Sequence, residues 1–305
     1  FQLIAQSHSV KRLGIEQGLS NNYVVSITQD KQGFLWFATE EGLNKFDGTR
    51  FTTYYKNDLT QDNQGITGNE LNRVYADTKH PIIWIATQRD GLNAYNYNEQ
   101  TFTAYQHNPE NPHSLITNDV TDIAPSTQHD DGLWISTYYR GIEYLDITSG
   151  QFTHYNKSTV PSLPCDQTWT VLDGGDGNLY IGHVGSGFSI FSPKDKSVKN
   201  FRNEAGNPMS LPGNDVFCII KDANGNIWLG TNNGLALYDA ANENFITFKN
   251  NKNDKYATLC SRILSIRQLK DNRLWIASEL NGIAILNLKQ SMFLSPEEIS
   301  LEYID

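Results

Sequence analysis

Val216-Phe217-Cys218-Ile219, Asp222-Ala223-Asn224-Gly225, Asn226-Ile227-Trp228-Leu229-Gly230-Thr231, Asn232-Asn233 and Gly234-Leu235-Ala236-Leu237-Tyr238-Asp239 follow one another along the chain. The apolar runs are too short for helices and are rich in β-branched and aromatic residues. Between them stand Asp, Asn and Gly, the residues that tight turns require. A further aromatic pair, Phe245 and Phe248, follows. The stretch therefore reads as four short strands joined by hairpins.

The same phrase recurs along the sequence. Trp36, Trp84, Trp134, Tyr180, Trp228 and Trp275 stand 48, 50, 46, 48 and 47 residues apart. A Gly follows each anchor (Gly42, Gly91, Gly141, Gly187, Gly234, Gly282), and Phe51/Tyr54, Phe102/Tyr105 and Phe152/Tyr155 repeat the fourth-strand aromatics. A period of this size marks a repeat architecture. Helical repeats of similar length fail, because no ten-residue stretch carries a 3.6-residue apolar period. The expected fold is all-β: a β-propeller of four-stranded antiparallel blades, one blade per repeat.

Six complete repeats occupy residues 19–305, the last ending in Ile299-Ser300-Leu301-Glu302-Tyr303-Ile304. Residues 1–18, with Val10, Leu13 and Ile15, match the fourth strand of a further blade and are expected to act as a closing strand in a seven-bladed ring. The 305 residues then form one domain, expected to be a piece of a longer polypeptide.

With 34 acidic and 24 basic side chains the net charge is −10, which argues against a nucleic-acid partner, since phosphate backbones are bound by clustered Lys and Arg. No run approaches the roughly 18 apolar residues of a membrane span. Phe1-Gln2-Leu3-Ile4-Ala5-Gln6 lacks the basic start of a signal peptide, and without an initiator Met these residues are expected to follow one already removed. Cys165, Cys218 and Cys260 show no metal-ligand spacing and read as buried small hydrophobes. The Asp/Gly turns lack the closing Glu of a calcium loop, so neither a metal nor a cofactor is expected.

The phrase Asp-x-x-Gly-x-Leu-Trp-x-Gly/Ala-Thr-x-x-Gly-Leu-x-x-Tyr/Phe-Asp, followed by Phe-x-x-Tyr and Ser-Leu-x-x-Asn-x-Val, resembles the two-component-regulator propeller repeat. That repeat builds the periplasmic sensor regions of hybrid two-component systems in gut Bacteroidetes. The opening 18–36 is especially similar to the first repeat of those sensors. The resemblance covers about 95% of the chain. It implies a periplasmic, non-enzymatic sensor of oligosaccharides that regulates glycan-utilisation genes. It further implies a second propeller, a β-sandwich and a transmembrane histidine kinase elsewhere in the polypeptide, and signalling through a homodimer.

Propellers gather two loops of each blade on one face. The loops between strands two and three hold Glu40-Glu41, Gln88-Arg89-Asp90, Tyr138-Tyr139-Arg140, His183-Val184-Gly185-Ser186, Asn232-Asn233 and Glu279-Leu280-Asn281. The residue before each first strand varies as Tyr23, Glu70, Asp119, Gln167, Asp215 and Arg262. Variable side chains on a repeated scaffold suit recognition. Sugars are held by aromatic faces and planar polar groups, with Arg added for acidic sugars, so Arg89, Tyr138, Tyr139, Arg140, His183, Asn232, Arg262 and Glu279 are the candidate ligand contacts.

Beside these, Asn22, Asn69, Asn118, Asp166, Asn214 and Ser261 repeat so uniformly that a structural role is expected, a side chain bonding the local backbone. Trp169 aligns with Val25 and Phe217 and reads as blade packing. Two other functions remain open: a lyase or hydrolase using His183 as general base, and a scaffold for docking proteins.

Overall fold

The computed structural model describes residues 12–57, 65–248, 257–268 and 272–288, and the backbone of 301–303. These residues form six four-stranded sheets whose strands pair antiparallel with their sequence neighbours, and no α-helix. The protein is a β-propeller, and its blades span 24–54, 71–105, 120–155, 168–201, 216–247 and 263–303, numbered one to six in that order. The anticipated last strand of blade six is present as Leu301–Tyr303, paired with Ile283–Asn287.

The chain divides into two compact units, Phe1–Ala104 and Tyr105–Asp305. In the first, Trp36, Ala38 and Leu43 of blade one pack on Leu71, Val74, Ile83 and Ile85 of blade two. In the second, each core lies between consecutive blades. Trp134 and Ile142 meet Val171, Ile181 and Phe191; Phe188 meets Val216 and Leu229; Trp228 and Leu237 meet Ile263, Ile266 and Ile276. A strand in mid-blade is covered on both faces, so it reads as a continuous apolar run: every residue of Gly132–Thr137 is buried. The outer strand Thr101–Tyr105 has only Phe102 buried, its other residues being exposed or half-buried.

Two expectations need correction. Of the anticipated closing strand, residues 1–11 lie outside the described residues, while 12–18 do not extend: Ile15–Gln17 forms a 3-10 turn ending at Gly18 in the left-handed region. The described residues form six sheets and no seventh, so the seven-bladed ring is not seen. Of the three cysteines only Cys218 is buried; Cys165 and Cys260 are half-buried, and all three are free thiols.

Candidate functional site

Repeated latches fix the loops on one edge of each blade. The threonine closing the second strand turns its hydroxyl back onto the glycine opening the third: Thr39 to Gly42, Thr87 to Gly91, Thr137 to Gly141 and Thr231 to Gly234, at 2.7–3.0 Å. That glycine has φ between 67° and 119° in all six repeats. At Gly141 and Gly187 a Cβ would also strike the carbonyl oxygen of Tyr155 or Phe201, so only glycine serves.

The repeated Asn/Asp bonds backbone as expected. Asn69, Asn118, Asp166 and Asn214 accept the amides of Lys56, His107, Lys157 and Asn203, the segment that follows each fourth strand. Asn22 accepts from Ile15 in the same manner, and the Ser261 hydroxyl donates to the Thr258 carbonyl instead.

A second backbone bond joins the two variable loops within each blade. The amides of Glu40, Gln88, Tyr138, Val184, Asn232 and Glu279 donate to the carbonyls of Tyr23, Glu70, Asp119, Gln167, Asp215 and Arg262. The two candidate sets therefore stand side by side in every repeat.

Just beyond, each first strand slips register at one residue: Val25, Asn72, Thr121, Trp169, Phe217 or Leu264. A bulge leaves one residue unpaired and re-aims its side chain. In blades four and five that residue is aromatic, and a row results. Tyr139 packs against Tyr138 with ring centroids 4.2 Å apart, Tyr138 edge-on to Trp169 at 6.0 Å, and Trp169 edge-on to Phe217 at 5.9 Å. The Arg262 guanidinium lies 4.4 Å from the Phe217 centroid, and its Nη1 reaches both Glu279 oxygens at 3.2 and 3.4 Å. The row crosses blades three to six within the second unit. Tyr139, Arg262 and Glu279 are exposed; Tyr138, Trp169 and Phe217 are half-buried. The backbone beneath it is pinned, since the Ser136 hydroxyl donates to the Trp169 carbonyl and Thr170 donates to the buried Asp122 carboxylate at 2.6 Å. Each edge-to-face contact is worth about 1 kcal/mol beyond area burial, so the rings are held before any ligand arrives.

Tyr138, Tyr139, Arg262 and Glu279 are thus brought together. Arg140 and Asn232 are exposed in the neighbouring loops, where Asn232 Oδ1 accepts the Asp215 amide. Arg89 is exposed in the first unit, beside Asp90, which pairs with Lys56 at 3.5 Å. The reading of Trp169 as plain packing is incomplete: its ring joins the loop tyrosines. The sequence hides this because a bulge leaves no mark in the apolar pattern; an aromatic flanked by Thr168 and Thr170 was the one visible hint.

His183 must be withdrawn as a ligand contact, because it is fully buried. It stands where other repeats have Thr or Ser, with Nε2 2.8 Å from the Ser189 hydroxyl and Nδ1 3.5 Å from Cys165 Sγ. Burial lowers its pKa to about 4. The imidazole therefore stays neutral near pH 7. A second buried group, Glu143, accepts the Ile116 amide and lies 3.1 Å from His154 Nδ1. Burial raises the Glu143 pKa, and the bond to Glu143 raises that of His154. Both networks tie loops to blades, as Asn44 ties Ser20 and Asn93 ties Thr67 in the first unit. Among the described residues no group of three or more His, Cys, Asp or Glu is placed to hold a metal, and no helix is long and apolar enough to cross a membrane.

The two-component regulator propeller family matches residues 18–41 and 210–233, which lead into and form the first two strands of blades one and five. Over 92% of its length the chain is 65% identical to the extracellular domain of a putative hybrid two-component system from B. thetaiotaomicron, superposing with a TM-score of 0.82. The chain spans only 36% of that relative. A second extracellular domain from the same organism, also of a putative hybrid two-component system, is 22% identical over 93% of this chain and 38% of its own, with a TM-score of 0.72, and supports the fold. Histidine kinase P4 of Formosa agariphila is 55% identical over 40 residues, 13% of this chain and 3% of that protein. The protein is homologous to the extracellular sensor domains of hybrid two-component systems.

Proposed function

We propose that this propeller is the extracytoplasmic, non-enzymatic ligand-sensing part of a hybrid two-component sensor, and that its ligand is an oligosaccharide whose arrival regulates genes for glycan use. The observation carrying this reading is the pre-set aromatic row from Tyr139 to Phe217, closed by Arg262 and Glu279. Partly exposed rings ending in a planar polar pair suit a ligand with C–H faces and many hydroxyls. The sensor works as a homodimer in the inner membrane, with a second propeller, a β-sandwich and the kinase on the same polypeptide. Ligand acts by binding one arrangement of the dimer better than the other, the only route by which binding shifts such an equilibrium. A melting-temperature screen against oligosaccharides tests this. A saturable rise with at least one sugar, without turnover of that sugar, is expected; no change with any sugar overturns ligand sensing by this segment, and product formation overturns the non-enzymatic assignment.

A further inference from the structure

The charge along the row narrows the ligand. The charged side chains of these loops balance, Arg140, Arg202 and Arg262 against Asp119, Asp215 and Glu279, with Arg202 donating to the carbonyl of the same Gly185 that holds Asp215. The arginine in contact with the rings is engaged already, since both Glu279 oxygens lie within reach of its Nη1. Asp215 is held in place by the Gly185 amide, which donates to its Oδ1 at 2.6 Å. A sulfated or uronate sugar reaching for Arg262 at the end of the row would have to displace Glu279 from it, and at Tyr139 it would meet the charge of Asp119. Like charges so placed select against a partner as surely as contacts select for one. An uncharged sugar keeps the Arg262–Glu279 pair intact and finds in it both donors and acceptors for hydroxyls.

Resting on the sensing role proposed above, we infer that the row Tyr139–Tyr138–Trp169–Phe217 with Arg262 and Glu279 is a binding strip for an uncharged oligosaccharide, and that it discriminates against sulfated and uronate chains. Trp169 and Phe217 form its platform, Tyr139 its exposed flank, and the Arg262–Glu279 pair its polar end. The strip is assembled from consecutive blades, so an oligosaccharide lying along it bridges them, whereas a monosaccharide touches one ring or two.

Calorimetric titration of the full chain tests this with neutral tetrasaccharides of glucose, galactose and mannose, alongside tetragalacturonate and a sulfated disaccharide. At least one neutral tetrasaccharide is expected to bind while the acidic sugars do not. Tyr139→Ala, at an exposed position, is expected to weaken that binding about tenfold. Trp169→Phe, which keeps an aromatic ring and therefore the fold, is expected to weaken it severalfold. Unchanged melting temperatures confirm folding of both variants. Binding of an acidic sugar that is lost in Arg262→Gln overturns the charge preference. A neutral sugar bound equally well by wild type, Tyr139→Ala and Trp169→Phe overturns the strip while leaving carbohydrate sensing intact. No binding by any sugar overturns both.

Discussion

Blades four and five occupy neighbouring places in the second unit and solve the same two problems with different chemistry. In blade five the turn is organised by Asp222, buried, whose carboxylate accepts the amides of Asn224 and Asn226, the Asn226 side chain and Trp228 Nε1, each at 2.9 Å. In blade four the matching position is Gly174, and the Tyr180 ring fills the space a side chain would need, 2.2 Å from a Cβ placed there. Its hydroxyl donates instead to the exposed Asp176 at 3.0 Å. At the other end, Thr231 donates to Gly234 in blade five, whereas His183 meets Ser189 in blade four. The repeat preserves that the turn and the strand end are each tied down, and leaves open which partners tie them.

Exchanging residues breaks this comparison most sharply at the buried carboxylate. Asp222→Ala strands Trp228 Nε1 in the interior and takes the acceptor from two turn amides nearer the surface. It should cost about 3–5 kcal/mol in a denaturant titration, against about 1 kcal/mol for Asp176→Ala at its exposed counterpart. A cost for Asp176→Ala equal to that for Asp222→Ala would refute the claim that burial sets the difference.

The His183 substitution gives blade four a sensitivity that blade five lacks. Its folded pKa of about 4 lies below the ordinary 6.5, so the unfolded chain takes up the proton first. The stabilisation is complete above pH 6.5 and is lost as pH falls toward 4, amounting to about 3 kcal/mol across that window. His183→Thr, restoring the residue of the other repeats, should flatten this part of the stability profile; a variant as acid-sensitive as the parent would show that His183 is not its source. A smaller effect than at Asp222 or His183 is expected at Thr231→Val, which removes one bond to Gly234 and one to the Asn233 amide, for about 1–2 kcal/mol and no change with pH between 4 and 7.

Most of the fold was legible because the repeat states it six times over. Trp and Gly at fixed intervals, turns of Asp and Asn, and the Asn before each first strand gave strands, hairpins and latch positions that hold in the structure. The candidate binding face was legible only in part. Tyr138, Tyr139, Arg262 and Glu279 could be named because their loops vary against a constant frame. His183 was misplaced because its position in the repeat suggested a loop, whereas its side chain turns inward to Ser189. Trp169, aligned with Phe217, was read as blade packing alone because a register slip is a property of two paired strands, and one strand's residues do not encode it. The 3-10 turn at Ile15–Gln17 was missed because the Val10, Leu13 and Ile15 spacing fits an extended segment as well as a compact one.

The slip at Val25, Asn72, Thr121, Trp169, Phe217 and Leu264 frees one side chain per blade from the inward–outward rule that governs its neighbours. Changes there need not be compensated in the interior. Lineages descending from one such scaffold could therefore trade a ring for an amide or a hydroxyl at these six places and acquire new tastes while the architecture stays as it was.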